Sequence, residues 1–323
     1  MKFEREPQNT GGIEILNDES IEKDFSFELS NEKDKDGTAI DGKCFWLKFG
    51  GAEAKFFVPQ KDNNKKLVVF EPGLPGDSVT WFETNQIQTL LKNGYTALVM
   101  RHLGTRTDTE RSDVLIHCPE RIARGTTPET KSIGDPKEYN LVELAEEPAM
   151  AVNTVGKNFD SIILVGHSSG ALYNAYSINH IQPALRDKIT NFVSLSGYLG
   201  CEEEKPESFS NLKNFYKYCA QFIKMGDAEE NTRLTQQILK EVHGSGIPEN
   251  IMVVQVNSPQ DEYIPISWAK QFQGFLGRGL NITDQTQFET EFHDLKNLQP
   301  GTLLRLLKMH YPKSKHTIKI SQQ

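Results

Sequence analysis

The chain has 323 residues, 37% hydrophobic and 25% charged, the balance of an ordinary globular protein with enough length for one substantial core. Its 36 basic and 44 acidic residues leave a net charge of −8, a surface that repels nucleic acid and anionic membranes. No run approaches the roughly 20 apolar residues of a membrane span, Met1-Lys2-Phe3-Glu4-Arg5-Glu6 lacks the apolar centre of a signal peptide, and Cys44, Cys118, Cys201 and Cys219 are scattered without metal spacing. These features predict a cytoplasmic protein with reduced thiols, no metal and no cofactor.

Residues 1–60 read as peripheral N-terminal strands, with Asn31-Glu32-Lys33-Asp34-Lys35-Asp36-Gly37 as an exposed turn between two short antiparallel ones. From Lys66 onward, Val- and Ile-rich runs at 67–70, 96–100, 161–165, 192–195 and 251–256 alternate with helix-compatible segments, and a further strand is expected around 281–288. Runs apolar on both faces suit parallel strands covered from both sides. The fold class is therefore α/β: one domain spanning 1–323, with a mostly parallel central sheet flanked by helices.

Two connections exceed what simple crossovers need, 102–140 and 197–250. The loop from Arg101 to Arg124 carries Arg101, Arg106, Arg111, Arg121 and Arg124, which could favour an anionic substrate, but Asp108, Glu110, Asp113 and Glu120 leave a net of only +1, so it reads as a solvated loop. In the second, Phe209, Leu212, Phe215, Tyr216, Cys219, Phe222 and Ile223 recur at helical spacing, and Leu234, Ile238 and Val242 mark another helix stopped by Gly244-Ser245-Gly246. Residues 200–248 are expected to form either a small helical lid or plain cover for the sheet.

The chemistry concentrates at Gly166-His167-Ser168-Ser169-Gly170, where the apolar run 161–165 enters a G-x-S-x-G turn followed by a helix. A serine hydroxyl attacks only when a base takes its proton, and a tight strand-to-helix turn projects it toward such a base. Small residues at Gly166 and Gly170 permit that turn. Ser169, next in the chain, offers a backbone N–H at the helix start, where amides are unpaired and the dipole favours negative charge.

From about Leu67 to the end, this arrangement resembles the α/β-hydrolase superfamily. The resemblance implies an acid after a late strand and a histidine after the following one, in the order Ser, Asp, His. Asp261, after the run 251–256, fits the acid, with neighbouring Glu262 a weaker alternative. His293, in Phe292-His293-Asp294-Leu295, fits the base, whereas His310 and His316 fall too late and His167 sits beside the nucleophile. The loop Phe70-Glu71-Pro72-Gly73-Leu74-Pro75-Gly76 resembles the superfamily's oxyanion loop. Neither proline has an N–H, whereas Leu74 between them keeps one, and Leu74 with Ser169 is expected to form the oxyanion hole.

The expected activity is hydrolysis of a carboxylic ester or thioester on a small acyl substrate through an acyl-enzyme on Ser168. A peptidase, an amidase or an acyltransferase would use the same residues. A non-catalytic binding protein on the same fold is the alternative from another class.

Overall fold

The computed structural model describes residues 14–15, 23–27, 40–49, 52–60, 63–74, 81, 85–102, 141–200, 212–217, 227–259, 261, 263–276, 280–282, 293, 295, 298–299 and 301–308. Through them run strands β1 Glu14–Ile15, β2 Lys23–Phe27, β3 Ile40–Phe49, β4 Ala52–Pro59, β5 Lys66–Glu71, β6 Thr96–His102, β7 Ser161–His167, β8 Ile189–Leu195, β9 Met252–Val256 and β10 Leu280–Ile282. They make one sheet ordered β1-β3-β4-β6-β5-β7-β8-β9-β10, with β2 paired to β3 off that path. From β6 through β10 every pairing is parallel. The N-terminal strands continue the sheet antiparallel, β4 joining β6.

The continuous apolar runs follow from the pleat, which sends successive side chains to opposite faces. On β5 and β7, Leu67, Val69, Ile162 and Leu164 enter one apolar cluster, while Val68, Phe70, Ile163 and Val165 enter another. The helices that close these clusters are α1 Gln86–Lys92, α2 Leu141–Val155, α3 Ser169–Ser177, α4 Ala228–Ser245, α5 Ile266–Leu276 and α6 Thr302–Lys308. Residues of α2, α3, α4 and α5 complete the first cluster, and residues of α1 and α6 the second. Each large side chain so buried contributes about 1.5–3 kcal/mol, which makes this two-sided burial the main force holding the sheet.

The N-terminal segment shares this core, since Leu47 and Ala54 join the first cluster and Ile40 and Phe57 the second. Pairing of β2 with β3, with Phe27 opposite Ile40, supplies the antiparallel pair expected there; its turn at 31–37 lies outside the described residues. β8 begins at Ile189, three residues before the apolar run suggested, because Thr190 and Asn191 interrupt the hydrophobic signal. Thr190 is exposed there and its hydroxyl lies 2.9 Å from the Ser161 hydroxyl on β7. Of the strand expected at 281–288, only the part within β10 is described.

Helix α4 is capped before its first residue by Asp227, whose carboxylate accepts from the amides of Glu229 and Glu230, and after its last by Gly246, where φ is +67°. It buries Leu234, Ile238, Leu239 and Val242 in the same cluster as α2 and α3, as a flanking helix does. The short helix 212–217 buries Leu212 and Tyr216, and the Tyr216 hydroxyl hydrogen-bonds Thr235 on α4. The other parts of the expected lid, 201–211 and 218–226, lie outside the described residues, as does most of the arginine-bearing loop. No helix among the described residues is long and apolar enough to cross a membrane.

Strands β6 and β7 flank β5 on opposite sides. Helix α1, between β5 and β6, packs on one face, and α2, between β6 and β7, packs on the other. The winding direction therefore reverses at β5 and β7. Outside the carboxyl ends of strands at such a reversal, the diverging connections leave a crevice suited to ligands.

Candidate active site

Leu74 follows β5, Ser168 follows β7, Asp261 follows β9 and His293 follows β10. These strands are parallel, so all four residues emerge at the same edge of the sheet, and β5 and β7 border the crevice.

Ser168 has φ +53° and ψ −125°, a conformation in which a side chain carries a cost of about 1–3 kcal/mol. The surrounding backbone holds it there. The Ser168 N–H donates to Leu195 O at 3.0 Å, and the Ser168 carbonyl accepts from Ala171 and Tyr198 at 3.1 and 3.0 Å. The glycines around it are sterically required. A Cβ on Gly166 would come within 2.5 Å of Ala171 backbone atoms, and one on Gly170 within 2.4 Å of the Glu71 and Pro72 carbonyl oxygens. Gly73, on the facing loop, lies equally close, since its Cβ would stand 2.7 Å from the Ser168 Cβ. The result is a serine held on a sharp turn against the loop after β5.

Asp261 and His293 form a direct pair. His293 Nδ1 lies 3.1 and 2.9 Å from the two Asp261 carboxylate oxygens, with the Asp261 side chain fully buried and that of His293 17% exposed. A carboxylate only accepts, so Nδ1 carries the hydrogen and Nε2 presents its lone pair. Burial by itself pushes the Asp261 carboxyl up, but the hydrogen bond and charge of His293 and the amides of Ile264 and Tyr263 outweigh it and hold the group below the ordinary aspartate value. Those amides donate to Oδ1 at 2.8 and 2.9 Å, so Asp261 also closes a local turn. Glu262, His310 and His316 lie outside the described residues.

His167 makes a contact that the motif did not signal. Its Nε2 donates to the His293 carbonyl at 2.9 Å, the two rings stand 5.0 Å apart, and the Trp81 and His167 rings meet edge-on at 6.3 Å. Ser168 and His293 are thus joined through His167; no direct hydrogen bond links them among the described residues. In unliganded sites such hydrogen bonds are commonly long and tighten only with substrate. The exposed Tyr263 ring packs edge-on to His293 at 5.4 Å.

Leu74 and Ser169 also meet. The Leu74 N–H donates to Ser169 Oγ at 2.8 Å in a buried setting, while the Ser169 N–H, first in α3, has no acceptor among the described residues. The residue types alone could not reveal the Leu74 contact, because 95 positions separate its partners. No group of three or more His, Cys, Asp or Glu side chains stands in metal-binding geometry among the described residues.

No protein-family model matches the chain, and no curated protein resembles it closely enough to count as a match. Solved structures do resemble it. E-2-(Acetamidomethylene)succinate hydrolase superposes with a TM-score of 0.54 at 11% identity, covering 82% of this chain and 97% of that one. A bromoperoxidase from Bacillus anthracis gives 0.51 at 14%, covering 82% and 100%. A carboxylesterase structure from the thaumarchaeon Nitrososphaera gargenis gives 0.50 at 12%, covering 81% and 96%. The chain has the α/β-hydrolase fold.

Proposed function

We propose that the protein is a serine hydrolase that cleaves a carboxylic ester or thioester through an acyl-enzyme on Ser168. The observation that carries this reading is the buried Asp261–His293 pair at the same sheet edge as a serine held at φ +53°. His293 Nε2 takes the Ser168 proton as Oγ attacks the acyl carbon, and Asp261 keeps the imidazole in the required tautomer and stabilises its positive charge. The same proton then passes to the leaving oxygen or sulfur, and a water repeats the sequence to release the acid. Each step is a proton transfer or an addition–elimination at one carbon, so the triad needs no electron carrier.

Negative charge on the acyl oxygen would develop beside the N-terminus of α3, where the unbonded Ser169 N–H and the helix dipole favour it, with Leu74 on the facing loop. An ester or thioester leaving group departs more easily than an amine, which favours those substrates over peptides. Carboxylesterases occur among the proteins that share the fold, which agrees with this choice.

A fluorophosphonate probe tests the reading. Wild type should be labelled and Ser168→Ala should not; a Ser168→Ala protein labelled as fast as wild type would remove the proposed nucleophile. Turnover of short- and long-chain acyl esters beside an aminoacyl amide then separates esterase from peptidase.

A further inference from the structure

The serine-hydrolase reading leaves open which groups bind the oxyanion, and the contact between Leu74 and Ser169 bears on that. The Leu74 N–H, the donor expected from the loop after β5, is already engaged with Ser169 Oγ at 2.8 Å. A hydroxyl that accepts one hydrogen bond still has its own hydrogen to give. Among the described residues nothing accepts the Ser169 hydroxyl hydrogen, although Ser169 is only 6% exposed. A nearly buried donor without an acceptor costs about 1–3 kcal/mol, a penalty relieved if a ligand supplies the acceptor.

We infer that Ser169 supplies two oxyanion donors, its backbone N–H and its hydroxyl, and that the Leu74 N–H acts from behind by fixing and polarising that hydroxyl. Both donors belong to the residue next to the nucleophile, at the first position of α3, where the helix dipole adds to their attraction for negative charge. A hydroxyl that accepts from an N–H becomes the stronger donor, because bonds in a chain polarise one another. The anchor also spares reorganisation. Without it the hydroxyl would rotate among three staggered positions, and the Leu74 bond selects one before substrate arrives.

The decisive comparison is Ser169→Ala against wild type, with Ser169→Thr as the variant that keeps the hydroxyl. The readouts are the second-order rate of fluorophosphonate labelling, in which the phosphoryl oxygen occupies the hole, and the affinity for a trifluoromethyl ketone, whose adduct carries an oxyanion. On this assignment Ser169→Ala labels roughly 100-fold more slowly and loses ketone affinity in parallel, at an unchanged melting temperature, while Ser169→Thr recovers most of the loss. Labelling of Ser169→Ala at the wild-type rate or faster would overturn the assignment, since the freed Leu74 N–H would then serve as the direct donor. Absence of Ser168-dependent labelling in wild type is a different result, one that removes the serine-hydrolase reading and this assignment with it.

Discussion

His167 donates from Nε2 to the backbone carbonyl of His293 across 2.9 Å, so the residue before the proposed nucleophile grips the residue proposed as its base. This bond spans 126 positions and ties the end of β7 to the segment after β10. It engages the His293 backbone and not its imidazole.

Losing that grip should cost turnover more than substrate binding. His167→Ala is expected to lower kcat by about fivefold, the equivalent of one hydrogen bond near 1 kcal/mol, with little change in KM. His167→Gln, which restores a donor, should regain part of the loss. Steady-state kinetics on an ester the wild type accepts would decide it, and an equal fall from both variants would deny the hydrogen bond its part.

Asp261 gives a prediction about pH. Its carboxyl lies below the ordinary aspartate value when folded, so the unfolded chain binds the proton more readily. The pair's contribution to stability is therefore present above the ordinary aspartate range and lost as pH falls through the lowered folded value. Wild type should lose stability across that acid window more steeply than Asp261→Asn in denaturant melts at stepped pH. At neutral pH the same substitution should cut turnover by roughly 10³–10⁴, because an amide that donates toward Nδ1 favours the wrong tautomer.

Strain at Ser168 predicts a trade between stability and activity. Glycine adopts φ +53° without the side-chain penalty, so Ser168→Gly should be more stable than wild type by about 1–2 kcal/mol and inert to fluorophosphonate. Thermal melts of Ser168→Gly beside Ser168→Ala separate the backbone effect from loss of the hydroxyl; equal melting temperatures would show that the turn stores no strain.

Two glycine substitutions should move stability in opposite directions. A methyl at Gly170 meets the Glu71 and Pro72 carbonyl oxygens at 2.4 Å, backbone that cannot give way cheaply, so Gly170→Ala should destabilise by about 1–3 kcal/mol or more and abolish labelling. A methyl at Gly274, inside α5, meets nothing within 4 Å. Gly274→Ala should stabilise by about 0.5–1 kcal/mol and leave labelling unchanged.

Legibility in the sequence followed the range of the interactions. The strands at β5, β6, β7 and β9 were readable because burial on both faces imposes unbroken apolar runs, while β8 hid its first residues behind Thr190 and Asn191. The turn at Ser168 was readable from the G-x-S-x-G pattern itself; Gly166 has no room for a Cβ because of Ala171, five residues on, whereas Gly170 has none because of the distant Glu71 and Pro72 carbonyls. Asp261 and His293 were reachable only by their order along a resembled fold, since nothing local distinguishes Asp261 from a turn aspartate, a part it also plays.

The amino-acid sequence by itself determined the fold class and the position of the turn that presents Ser168, because the apolar runs and the glycine spacing that mark them are patterns over a few neighbouring residues. Only the tertiary structure decided who meets whom at the sheet edge: His293 with Asp261, His167 with the His293 carbonyl, and the Leu74 amide with the Ser169 hydroxyl. Those contacts join segments 32, 126 and 95 positions apart. Parallel strands deliver their carboxyl ends to one edge wherever they lie in the chain, and this edge is where the three pairs form.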